Sequence, residues 1–346
     1  MPGEPAVRDR RGEERFLVTG ALGCIGAWTV RALVREGVPV VAFDLGRNLR
    51  RLEQIMAPDE LARVRLVVGD ITDLPAVEAT LDNESVTNVI HLAALQVPFC
   101  RADPPLGALV NVVGTVTLFE AVKRRLDRMA PLVYTSSMGV YSAADVDPAS
   151  GRLHEDAEPH PASHYGVYKV ANEGTARIYA LDHGLASIGL RPTTVYGAGR
   201  DQGMTSSPTV AIAAAVLGQP FTISFGGPTL FQYAEDVAAT LLAASRSSLQ
   251  GAHVFNLGGH RVAIDDWIAT IEAVLPEAAG LLTATATELP FPSEIDHDRL
   301  AAIGPVPVTP VGDGIEATIE IFRRLAAEGR LVGAEHGLAA ASAGRA

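Results

Sequence analysis

The chain has 346 residues, 48% of them apolar, and a formal net charge of −12. That length holds one large domain or two modest ones with a full core; the apolar share excludes a disordered chain; the acidic balance excludes a nucleic-acid or anionic-membrane surface. Two cysteines, Cys24 and Cys100, exclude a disulfide framework and fit a reducing cytoplasm.

Residues 1–14 read as a polar leader without the apolar stretch of a signal peptide. Apolar runs such as Val210 to Leu217 fall short of the ~18 to 20 residues that cross a bilayer. The first apolar strand, Phe16–Thr19, leads into Gly20, Gly23 and Gly26, and the pattern then turns helical. Gly20 permits the tight turn, Gly23 lets backbone approach a pyrophosphate, and Gly26 lets the helix pack on the strand. The helix N-terminus at Cys24 and Ile25 offers free N–H groups to phosphate. The second strand, Val38–Phe43, ends in Asp44, whose carboxylate accepts ribose hydroxyls and repels a 2′-phosphate, so NAD is favoured over NADP. Arg47, Arg50 and Arg51 follow closely and could serve a 2′-phosphate; a solvated helix face is the preferred reading.

Further strands are predicted at Val64–Val68, Val89–His91, Leu132–Thr135 and Ala186–Leu190, with helices at Ile25–Arg35, Ala76–Leu81, Leu106–Leu126 and Ser163–His183. This alternation over 15–191 predicts an α/β, doubly wound parallel (Rossmann) sheet, with ligands beyond the carboxyl ends of its strands. After Arg191, shorter elements and frequent Pro, Gly, Ser and Thr predict a smaller carboxyl-terminal substrate lobe over 192–330, interleaved with the first part. It is expected to hold helices at Ser207–Leu217, Glu235–Ala244, Ile264–Val274 and Gly312–Ala327 and a strand at His253–Asn256, before a loose tail over 331–346.

Tyr165 and Lys169 stand four apart in a helical pattern and so share one face. A nearby ammonium lowers the pKa of a phenol, and Tyr165 then exchanges a proton with an alcohol or carbonyl oxygen. Ser137 closes a buried strand, where its hydroxyl holds the same oxygen.

Thr19-Gly20-x-x-Gly23-x-x-Gly26, Asp70, His91-Leu92-Ala93-Ala94, Ser137, Tyr165-x-x-x-Lys169 and the Arg191-to-Gly197 stretch together resemble the extended short-chain dehydrogenase/reductases. Within them the pattern is similar to the NAD-dependent epimerase/dehydratase group, from about Phe16 to Arg324. The resemblance implies a bound nicotinamide cofactor and a Ser137–Tyr165–Lys169 catalytic set. It places Asp70 and Ile71 beside the adenine, Leu92, Ala93 and Ala94 along the pyrophosphate and ribose, Pro192 in the cofactor site, and Asn111 as a brace. It also implies a homodimer formed through the Leu106–Leu126 and Ser163–His183 helices.

Departures from the family narrow the activity. Met138 and Gly139 stand where the related sugar dehydratases carry Asp-Glu, so elimination of water is disfavoured. Thr194 replaces the usual Asn and Thr229 a usual arginine, with Arg299 as a partial substitute. A diphosphate without such partners loses its strongest contacts. The chain is therefore expected to oxidise a secondary hydroxyl of a free sugar or sugar acid, with epimerisation of a nucleotide sugar as the alternative. Gln96, Ser137, Met138, Thr194, Ser206 and Gln232 are the candidate substrate residues. The His154-to-His164 cluster is broken by prolines and read as a loop rather than a metal site, and no Gly-x-Ser-x-Gly elbow supports a hydrolase.

Overall fold

A computed structural model describes residues 14–331. Most of the predicted leader and almost all of the predicted tail lie outside the described residues.

Twelve strands alternate with helices: β1 (Phe16–Thr19), β2 (Val40–Asp44), β3 (Arg65–Val68), β4 (Asn88–His91), β5 (Leu132–Thr135), β6 (Ser187–Arg191), β7 (Thr194–Tyr196), β8 (Phe221–Ile223), β9 (Pro228–Tyr233), β10 (Ala252–Asn256), β11 (His260–Ala263) and β12 (Leu282–Ala284). Seven of them form a parallel sheet in the order β10-β6-β5-β4-β1-β2-β3. Phe16 of β1 pairs with Val40 of β2 on one side and Asn88 of β4 on the other. Every residue of β1 and β4 is buried, as strands covered on both faces must be. The chain winds outward from β1 in one direction and from β4 in the other, so a crevice opens beyond the carboxyl ends of these neighbours.

The strand expected at His253–Asn256 in the smaller lobe instead joins the main sheet beside β6 as β10. The helix Ala234–Arg246 likewise packs along the glycine-turn helix Cys24–Arg35, covering one face of that sheet. Sequence order misled here because a crossover of some sixty residues separates β6 from its parallel neighbour. What remains as the lobe is a three-stranded sheet β11-β9-β7 and a parallel pair β12-β8. The two parts share one aromatic core. Phe231 stacks on Trp267 with centroids 4.0 Å apart, and Tyr233 meets Trp28 of the glycine-turn helix at 5.5 Å.

The helix predicted at Leu106–Leu126 runs from Pro104 to Lys123, with a π-helical turn at Leu109–Val113. Among the described residues this stretch is long and apolar enough to cross a membrane, and half of it is buried inside the protein.

Candidate active site

A cleft of about 720 Å³ runs along the carboxyl edge of the sheet, from Asp44 and Asp70 at one end to Tyr165, Thr194 and Thr229 at the other. Gly20 turns the chain with φ +65°, and a Cβ there would meet the Ala93 nitrogen at 2.6 Å. A Cβ on Gly26 would lie 2.2 Å from the Gly20 carbonyl oxygen. Both positions admit only glycine, because β4 and the helix close on the turn from opposite sides. Gly23 caps the helix, which begins at Cys24. Asp44 closes β2; its carboxylate accepts hydrogen bonds from the backbone of Leu22 at 2.9 Å and of Gly46 at 3.4 Å. Asp70 accepts from the backbone and side chain of Thr72. Gly20, Gly23, Cys24, Ile25, Gly26, Asp44, Asp70, Ile71, Leu92, Ala93, Ala94 and Pro192 all line the cleft. This elongated, glycine-floored trough with a carboxylate at one end fits a dinucleotide.

Ser137, Tyr165 and Lys169 converge at the other end. The helix His164–His183 is started by Ser163, whose hydroxyl accepts from the Gly166 nitrogen at 3.1 Å. The Ser137 hydroxyl accepts from the Gly139 nitrogen at 3.0 Å and hydrogen-bonds Tyr165. Burial holds the Tyr165 phenol above its ordinary range, offset by the Ser137 bond and by the Arg200 charge. The expected lowering of the phenol by Lys169 is not found: the opposing influences are the Ser137 hydrogen bond and the Arg200 charge, and burial outweighs both. Lys169 donates instead to the Thr135 carbonyl at 2.7 Å, with its nitrogen 5.5 Å from the Tyr165 ring centroid. Burial brings the Lys169 ammonium down to about 8. His91 beneath it bridges the Thr19 and Thr115 hydroxyls, and burial lowers it to about 3, so it is neutral.

Asn111, Gln232 and Ser206 lie outside the cleft lining and bond backbone instead. Asn111 sits in the π-helical turn, behind the cleft lining. Its amide clasps both the nitrogen and the carbonyl of Leu95, at 2.7 and 2.9 Å, bracing the loop after β4. Gln232 is buried; it accepts from the Thr193 nitrogen and donates to the Leu257 and Gly258 carbonyls. The Ser206 hydroxyl donates to the Gly203 carbonyl. Each bonds nearby backbone, a demand that sequence spacing does not display. Gln96, Met138 and Thr194 do line the cleft, and the Thr194 and Thr229 hydroxyls bond each other at 3.0 Å. Arg299 is exposed and lies 3.9 Å from Glu155, away from the cleft. His154 bonds Asp296 and Asp147, and His160 bonds Asp145.

Four charged residues depart from expectation: Arg50 and Arg51 by their placement, and Arg200 and Asp201, which carry no sequence signal of their own. Arg50 and Arg51 are not a solvated face: both line the cleft and both pair with Asp201. Arg200 also lines it, donating to the Thr205 hydroxyl at 2.9 Å while its buried Nε has no hydrogen-bond partner.

The family model for the NAD dependent epimerase/dehydratase family matches residues 16–258. A UDP-glucose 4-epimerase of Mycolicibacterium smegmatis is 30% identical over 321 residues, covering 89% of this chain and 98% of that protein. The structure of a UDP-glucose 4-epimerase from Thermus thermophilus in complex with NAD superposes with a TM-score of 0.74 at 25% identity, over 89% of this chain and 99% of the other. A UDP-glucuronic acid 4-epimerase from Bacillus cereus, also in complex with NAD, gives 0.72 at 26% identity, over 90% and 97%. With the glycine turn, the seven-stranded order and this match over most of its length, the chain belongs to the NAD-dependent epimerase/dehydratase family of extended short-chain dehydrogenase/reductases, and its cofactor is NAD.

Proposed function

We propose that the protein is an NAD-dependent 4-epimerase of a nucleotide sugar. The carrying observation is that Ser137, Tyr165 and Lys169 meet in one cleft, in a chain that matches a UDP-glucose 4-epimerase from end to end of that relative. NAD supplies a hydride acceptor that later returns the hydride. Tyr165, as its phenolate, would take the proton from the sugar hydroxyl as hydride leaves the same carbon, and as the phenol would give it back after the sugar presents its other face; the Ser137 bond and the Arg200 charge are what favour the phenolate against burial. Ser137 holds that oxygen, and Lys169 adds a positive charge beside the ring. Arg200 revises the argument for a free sugar: it places a guanidinium in the cleft near Tyr165, where Thr229 and Arg299 offer none. In the test, UDP-glucose, UDP-glucuronic acid and UDP-N-acetylglucosamine are each incubated with enzyme and NAD. Conversion to the 4-epimer without net NADH release is expected; steady NADH release with a free sugar instead would install the dehydrogenase.

We also infer a homodimer. Leu106, Leu109 and Val113 form an exposed apolar stripe at helical spacing, as do Val167, Ile178 and Leu181 on the adjacent helix. Light scattering is expected to give twice the chain mass; a monomer would refute this.

A further inference from the structure

At the Asp44 end of the cleft, charges from two distant parts of the chain meet. The Arg51 guanidinium donates to the Leu22 carbonyl at 3.0 Å, while the Asp44 carboxylate accepts from the Leu22 nitrogen at 2.9 Å. One residue thus ties Arg51 to the corner where Asp44 stands. Arg51 also donates to the Gly199 carbonyl at 3.0 Å and reaches Asp201 Oδ1 at 2.6 Å; Arg50 takes Oδ2 of the same carboxylate. The Asp201 side chain is 5% exposed, so the contact is shielded from solvent and only weakly screened by salt. All four charged residues line the cleft.

Two guanidiniums beside a ribose site are the partners a 2′-phosphate requires, since planar arginine forks grip phosphate bidentately. Here they are already engaged. We propose that Asp201, contributed by the loop after β7, is a specificity-determining residue: by occupying Arg50 and Arg51 it denies them to the 2′-phosphate of NADP. Asp44 repels that phosphate from one side, and Asp201 removes its attraction from the other. Cofactor choice is thereby shared between the main sheet and a segment far along the sequence. This goes beyond the proposed reaction and rests only on the dinucleotide occupying the cleft.

The test titrates full-length protein with NAD and with NADP by calorimetry, for the native chain and for Asp201→Asn. The expected result is a ratio of NADP to NAD dissociation constants at least about tenfold smaller in Asp201→Asn, with NAD affinity within about threefold of native. The gain disappears when Arg50→Ala and Arg51→Ala are added. An unchanged ratio in folded Asp201→Asn overturns the proposal. Failure of both Asp201→Asn and Asp201→Ser to fold makes the residue structural and overturns it equally. No NAD binding to the native chain would instead sink the cofactor site itself.

Discussion

The floor of the cleft and the wall that follows Arg191 use the same polar residue types to different ends. On the floor, Asp44, Asp70 and Ser137 lie at or just past the carboxyl ends of parallel strands, where the winding of the sheet opens the crevice that they line. In the wall, Gln232 spends its buried amide on the Thr193 nitrogen and on two carbonyls that the short irregular elements leave to be satisfied, and Ser206 bonds the Gly203 carbonyl. Both sets bond nearby backbone, but the strand-end side chains keep a place in the cleft lining while doing so, and Gln232 and Ser206 do not.

The sharpest way to break this contrast is at Tyr165. Tyr165→Phe keeps the ring and removes the proton, so kcat is expected to fall by about 10²- to 10⁴-fold, while NAD affinity by calorimetry stays near native. Retained turnover would remove Tyr165 from the chemistry. The next effect is in pH. Lys169 is drawn down to about 8 by burial, so its ammonium prevails below that value and is lost above it. Turnover that needs the ammonium is expected to hold below about 8 and fall toward a tenfold loss per pH unit above it; Lys169→Arg, which stays charged, moves that limb upward. A native profile flat through pH 9 would show that the charge is not required. The smallest effect is in the wall. Gln232→Ala strands the Thr193 nitrogen and two carbonyls, and is expected to cost about 1–3 kcal/mol in denaturant unfolding with kcat/KM unchanged. A large loss of kcat/KM without loss of stability would return Gln232 to the substrate.

Strand ends and the glycine turn were legible because they depend on local signals: an apolar run, a fixed spacing, a residue at a known offset. Tyr165 and Lys169 were legible because a helix alone brings i and i+4 together. Arg50, Arg51 and Asp201 were hidden because 150 residues separate Arg51 from its partner, and a charge that looks solvated on a short helix is paired only after the chain returns. β10 was misplaced for the same reason: its neighbour β6 is remote in sequence. Arg200 has no sequence signal because its loop shows no periodicity, and only the folded chain brings it into the cleft with Tyr165.

The loop that carries Arg200 and Asp201 is also fastened to the glycine-turn helix, where the Trp28 indole nitrogen donates to the Ala198 carbonyl at 2.9 Å and the Cys24 thiol reaches the same oxygen at 3.9 Å. The chain has two tryptophans, and the other, Trp267, is fully buried against Phe231 in the aromatic core. Trp28 is thus an optical gauge set into the clasp between the two parts of the cleft. In Trp267→Phe its emission belongs to that clasp alone, so the tightening or loosening of the wall on ligand can be followed in real time without any label.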